Sequence, residues 1–180
     1  MEVPNLYSKI VSDSETTNIL TWPYDFEIVK PYSIELESDI VVDDQVIIIA
    51  KDGTGGLFTL WGKDNVEKRP IVYISSEGQA GKIAKSFNEF ILILVTCPFW
   101  FWTDLFKFSG ESQLAEMRKA LLYLQTAEEY IEVGQSRDIL VTKLSLNPQS
   151  IDPVAKIHES INSKSEIKVR SICGEPFDSF

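Results

Sequence analysis

Val46-Ile47-Ile48-Ile49-Ala50-Lys51-Asp52-Gly53-Thr54-Gly55-Gly56-Leu57-Phe58-Thr59-Leu60-Trp61 is the stretch that decides the fold. A short β-branched run ends at Lys51, and an apolar and aromatic run begins at Leu57. Between them lies Asp52-Gly53-Thr54-Gly55-Gly56, the strongest turn signal in the chain, because glycine enters positive φ without steric penalty. Two apolar runs joined by so short a glycine-rich loop read as a hairpin. The unbroken apolar character of Val46 to Ala50 marks a strand buried on both faces.

Working outward from that hairpin, Gly62 to Pro70 is a polar turn and Ile71-Val72-Tyr73-Ile74 a further strand. Upstream, Phe26, Ile28, Ile34, Leu36 and Ile40 sit at even spacing between acids, the alternation of strands buried on one face. Pro31 between the two runs marks an edge or a break. Strands are therefore expected near 34–41, 46–50, 57–61 and 71–74, as an antiparallel meander. The first 23 residues read as a short helix or an irregular arm.

The second half changes period. Ser86 followed by Glu89 has capping-box spacing, so a buried helix is expected from Phe87 to about Thr96, stopped by Pro98. Leu114, Met117, Leu121 and Leu124 recur at helical steps, which predicts a helix from about Glu111 to Ile131, terminated near Gly134. Ile139 to Leu146 reads as a short strand. Asp152-Pro153 is a cap and first-turn pair for a helix to Ile161, and Ile167 to Ile172 a late edge strand. Strands first and helices afterwards indicate α+β, an antiparallel meander of four to six strands with helices packed on one face. The expected core is Ile48, Phe58, Leu60, Val72, Phe90, Ile93, Leu94, Leu121 and Leu124. The 180 residues fit one domain, with 109–180 as a helical extension carrying the late strand.

Composition limits the function. Seventeen Lys and Arg stand against 27 Asp and Glu, a net charge of −10. That sign argues against a nucleic-acid groove or docking on an anionic membrane, and would attract a basic partner. The segment Asp25 to Glu67 holds ten acids against three lysines, −7 of the total. Two cysteines, no secretory signal after Met1 and no apolar run of membrane-spanning length lead to the expectation of a cytoplasmic protein.

Chemistry-bearing motifs are sparse. His158 reads as an ordinary helix residue, neither Cys97 nor Cys173 has a nucleophile's flank, and no Gly-x-Ser-x-Gly elbow occurs. The glycine loop lacks the Gly-Lys-Ser/Thr ending of a phosphate cradle, and Asp39, Asp43, Asp44 and Asp52 lack calcium-loop spacing. No catalytic residue, cofactor or metal is expected. Glu35, Glu37 and Asp39 alternate as on a solvated strand face. The aromatic cluster Phe99-Trp100-Phe101-Trp102 either packs under the sheet or lines a groove.

The hairpin, the strand Pro70 to Ile74 and the stretch from Ser76 to Phe90 together carry a resemblance. In the last of these Glu77-Gly78, Gly81, Ile83-Ala84 and Phe87 stand before and within a helix. This part of the chain, residues 46–105, resembles the SUKH superfamily of bacterial immunity proteins from polymorphic toxin systems, which also includes a fungal cell-wall-synthesis regulator. The resemblance gives Asp52, Gly53, Gly55, Gly56, Glu77, Gly78 and Gly81 a structural meaning. It implies a non-enzymatic protein that neutralises a cognate, basic toxin by direct contact. The alternative is an intracellular interaction or regulatory module with no toxin partner. A small hydrolase is the third class and has no motif behind it. Glu35, Glu37, Asp39, Asp43 and Asp44 are the expected partner-binding residues, on the sheet's solvent face.

Overall fold

The computed structural model describes residues 1–163 and 167–179. The chain opens with α1 (Asn5–Val11) and α2 (Ser14–Thr21), continues through β1 (Glu27–Ser33), β2 (Ile40–Val42), β3 (Val46–Lys51), β4 (Leu57–Trp61), β5 (Ile71–Ile74) and β6 (Ala80–Ala84), and then turns helical. There follow α3 (Phe87–Leu94), α4 (Phe99–Leu105), α5 (Gln113–Leu124), α6 (Glu129–Leu144) and α7 (Pro153–Asn162), and the late strand β7 (Val169–Ser171). Five strands form an antiparallel sheet in the order β1-β3-β4-β5-β6, while β2 pairs with β7 in a small sheet of its own. The architecture is α+β.

Alternation along the strands sends side chains to two separate cores. Phe58, Leu60, Ile71 and Tyr73 face the helices, whereas Leu57, Trp61, Val72 and Ile74 face the opposite side. A one-residue bulge in β3 breaks the alternation: Ile48 opposes Thr59, but the next pair is Ala50 with Phe58. Ile49 and Ala50 consequently both enter the helix-side core, while Ile48 stays on the other. Thr59, buried on that other side, donates its hydroxyl to Val72 O at 3.0 Å. The expected core residues are all buried.

On the helix side the core is aromatic. Phe58 contacts Phe26 and Phe99 edge-on, with centroids 4.9 and 4.6 Å apart, and Trp102 stands 5.2 Å from Phe99. The cluster after Pro98 therefore packs under the sheet as α4, with Trp102 fully buried and its Nε1 donating to Cys97 O. The Ser86 cap forms, its Oγ accepting from Glu89 N; Glu89 Oε2 reaches back one residue further than usual, to Lys85 N. Asp152 caps α7 by accepting from Ala155 N.

Five expectations need correction. The predicted strand 34–41 does not form; Ile34–Leu36 is a 3-10 turn, and strand structure lies on either side of it, in β1 and β2. Pro31 is accommodated in edge strand β1, where the register to β3 slips between Ile28 and Tyr32, because an edge needs fewer donors. Of the two readings of the N-terminal residues the helical one holds, as two helices, the second capped by Asp13. The helix expected over 111–131 is two, broken at Gln125–Glu128, and the strand expected at 139–146 lies inside α6. Gly134 does not terminate it. Burial of Tyr130, Val133, Leu140 and Leu144 outweighs the roughly 1 kcal/mol that an interior glycine costs.

The fifth correction bears on function. The sheet's second face is not solvated. Ile40, Val42 and Val169 of the small sheet, with Ile34 and Phe177, cover it. The C-terminal segment also closes the β6 edge, where Ala80 N donates to Asp178 O and Asp178 N to Gly78 O. β6 itself went unread in the sequence, since Ala80-Gly81-Lys82 offers little β propensity.

Candidate functional site

Because the small sheet covers the large one, it is the small sheet that faces outward. Ile40 and Val42 point inward, so Val41 and its partner Arg170 occupy the outer side. Ile172, 65% exposed, follows β7 with its N donating to Asp39 O, and Leu36, 73% exposed, ends the 3-10 turn that precedes β2. Leu36 was expected inside a strand; the 3-10 turn buries Ile34 instead and leaves Leu36 in water. Exposed apolar side chains with acids close by along the chain have the anatomy of an interface. Period-two reading hid Leu36, and its one signal was the pair of flanking glutamates.

The five acids read from the sequence fall into two groups. Glu37 and Asp39 line a hollow of about 220 Å³ near the β3–β4 turn, with Lys51 and Phe177. Tyr32 donates its hydroxyl to Glu37 Oε1 at 2.5 Å, and Lys51 Nζ lies 3.5 Å from the same oxygen. Contact with the Tyr32 hydroxyl, then the charge of Glu37, raises the Lys51 ammonium above its usual range. Asp43 and Asp44 lie beyond the other end of β2, in a hollow of about 460 Å³ lined also by Trp61 and Lys168. Asp43 accepts from Arg170 Nη2 at 2.5 Å across the small sheet. Asp44 accepts only its neighbour's amide, Gln45 N, at 2.7 Å among the described residues. Glu35 is exposed at the start of the 3-10 turn. Of the five, Glu35, Asp39 and Asp44 carry no ion pair among the described residues.

The glycine loop is a buried polar knot. Asp52 is 6% exposed, and its Oδ1 accepts from Thr54 N, Thr54 Oγ1 and Gly56 N, each at 2.8 Å. Its Oδ2 accepts from the Tyr73 hydroxyl at 2.5 Å. Desolvation, then that carboxylate, pushes the Tyr73 hydroxyl far up. Gly55 has φ +89°, and a Cβ on Gly56 would lie 2.2 Å from Tyr73 Oη. Gly53 N donates to Asp25 Oδ1 at 2.8 Å. Glu77 is exposed in the turn before β6, Gly78 adopts φ +87°, and Gly81 pairs with Tyr73. These seven residues shape turns and strand pairing.

His158 is half-buried on α7, and its carbonyl accepts from Asn162 Nδ2. Cys97 is buried, which drives its thiol pKa up, and Cys173 is exposed. Among the described residues no group of three His, Cys, Asp or Glu is placed to hold a metal ion. Nor is any of their helices long and apolar enough to cross a membrane.

Comparison with curated proteins and with solved structures returned no significant match. Residues 8–91 match the family model SUKH_6, described as SMI1-KNR4 cell-wall. The match runs from the middle of α1 into α3, so it takes in the second N-terminal helix and part of the first, well before the Val46 start of the sequence resemblance. It takes in the whole five-stranded sheet and the glycine loop. This segment, with its meander and capped helix in place, is similar to the SUKH superfamily.

Proposed function

We propose that this is a non-enzymatic, immunity-type binding protein, acting in the cytoplasm, that neutralises a basic toxin by covering it. Similarity to a generally non-catalytic family supports the reading. The observation that carries it is the small sheet and its flanks: apolar Leu36, Val41 and Ile172 exposed in or next to its strands, and Glu35, Asp39 and Asp44 exposed in the segments flanking β2 with no ion pair among the described residues. Exposed apolar side chains supply affinity, and an excess of acids supplies steering toward a basic surface. Neutralisation by occlusion asks for no catalytic group on this chain.

Charge reversal tests it. Asp43 is unsuited, because it is ion-paired to Arg170 across the small sheet. The variant E35K/D39K/D44K leaves that pair in place. With the partner captured from the native host and purified, the variant is expected to associate about tenfold more slowly at low salt. The difference should shrink once added salt brings the Debye length below about 8 Å. An association rate indifferent to both salt and the triple reversal overturns the reading. The regulatory-module alternative differs in one respect: its partner, expressed alone, would not harm cells.

A further inference from the structure

A second groove lies on the helical side, where the α2–β1 corner meets α4 and α6. Its volume is about 530 Å³, within the roughly 300–1,000 Å³ of sites that enclose small ligands. Trp22, Pro23, Asp25, Trp100 and Glu132 line it. Trp22 is 67% exposed, an unusual place to leave an indole. Both ring N–H groups are used within the protein: Trp22 Nε1 donates to Glu132 Oε1 at 3.2 Å, and Trp100 Nε1 to Pro23 O at 2.9 Å. Each ring is held by its edge, so what the pair offers a ligand is aromatic surface.

The charge is one-sided. Two carboxylates, Asp25 and Glu132, line the groove, and among the described residues that line it none is a cation. Asp25 is half-buried, kept at φ 58° by the corner and by its bond from Gly53 N. An anion would be repelled here, and a neutral apolar group would cover both carboxylates without supplying a counter-charge. A flat, delocalised cation satisfies every element of the lining, stacking on an indole while its N–H edge meets a carboxylate. Guanidinium has that shape, and ammonium, a compact and strongly hydrated charge, does not.

We propose that the groove between Trp22, Trp100, Asp25 and Glu132 is a docking site for an arginine side chain of a basic protein partner. The inference rests on the reading above for the source of the arginine. It uses different residues, on a different face, and supplies the anchor that a steering surface lacks. Aromatic pockets that seat one arginine are the places where interface energy concentrates.

The test uses the full chain and three peptides: acetyl-Gly-Arg-Gly amide, its lysine counterpart, and its citrulline counterpart, which keeps the shape and removes the charge. Binding is read from the indole N–H resonances of the four tryptophans. The arginine peptide is expected to shift Trp22 and Trp100, saturating at roughly millimolar concentration, and to leave Trp61 unmoved. The citrulline peptide should bind about tenfold more weakly, and the lysine peptide should fall between. E132Q can keep the Trp22 hydrogen bond while removing one charge, and should weaken the arginine peptide severalfold; W22A should abolish the shift at Trp100. Absence of a saturable shift, equal binding of citrulline, or shifts confined to Trp61 overturns the proposal. E35K/D39K/D44K should leave peptide binding unchanged. Intact peptide binding together with a partner on-rate indifferent to that triple reversal would sink the acidic-face reading and leave the groove standing. A slowed partner on-rate with no peptide binding would do the reverse.

Discussion

Replacing Asp52 by alanine should be among the most damaging single changes in the β3–β4 hairpin, for a reason that can be counted. The carboxylate receives four hydrogen bonds. Thr54 is exposed and can turn its two donors to water, so their loss costs little. Gly56 N and the Tyr73 hydroxyl are buried, and each loses a charged acceptor. At about 1–3 kcal/mol for each buried donor left without its partner, D52A should cost about 3–5 kcal/mol. For a chain of this size that is a fall in Tm of about 10 °C. D52N keeps an oxygen for the loop amides and an amide group beside Tyr73, and should cost about 1 kcal/mol. Urea unfolding followed by circular dichroism would give the differences from the midpoints at constant m. A double-mutant cycle with Y73F should show a coupling of about 1–2 kcal/mol. If D52A stays within about 1 kcal/mol of the parent, or if asparagine proves as costly as alanine, the loop is not held by this carboxylate and the argument fails.

Gly56→Ala should destabilise by at least about 1–3 kcal/mol, and most of that cost should vanish in a Y73A background, because the clash is with the tyrosine ring; an unchanged cost in that background would refute the clash. Burial holds the Tyr7 hydroxyl at about 12, and those of Tyr24 and Tyr73 higher still. An acid whose folded pKa is raised keeps its stabilisation below the unfolded value of about 10 and loses it as pH rises toward the folded one. Stability should therefore fall steadily above pH of about 10, and these three tyrosinates should appear in absorbance together with the loss of circular dichroism, not before it. Asp43→Lys should loosen the C-terminal strand, seen as faster amide exchange at Arg170 and at Ile172, whose N donates to Asp39 O, whereas Asp44→Lys should not, since Asp43 and not Asp44 is paired to Arg170.

The sequence by itself determined the central hairpin, its neighbour β5 and the capped helix α3. In those segments local preference and long-range packing agree: β-branched runs, glycines where positive φ is needed, and a Ser–Glu cap all act within a few residues. The family resemblance was legible for the same reason, being carried by those local motifs. The seven structural residues, Asp52 and Gly56 foremost, could be singled out, although the partner of Asp52, Tyr73, is 21 residues away and invisible to spacing. Tertiary structure decided the rest. The alternating acids of 34–41 look like a strand. They become a 3-10 turn and a three-residue strand because β7, more than 120 residues later, offers the pairing that the sheet edge does not. The same distant strand turns the second sheet face from a solvated surface into a core, and so moves the candidate binding surface outward by one layer. Helix α6 runs through Gly134 because burial of its apolar side chains exceeds a local propensity. Trp22, Trp100 and Glu132 lie on three separate elements, and nothing in their neighbourhoods along the chain joins them. Periodicity reports which side of an element is apolar. What covers that side depends on contacts between residues far apart in sequence, and only the folded chain brings those together.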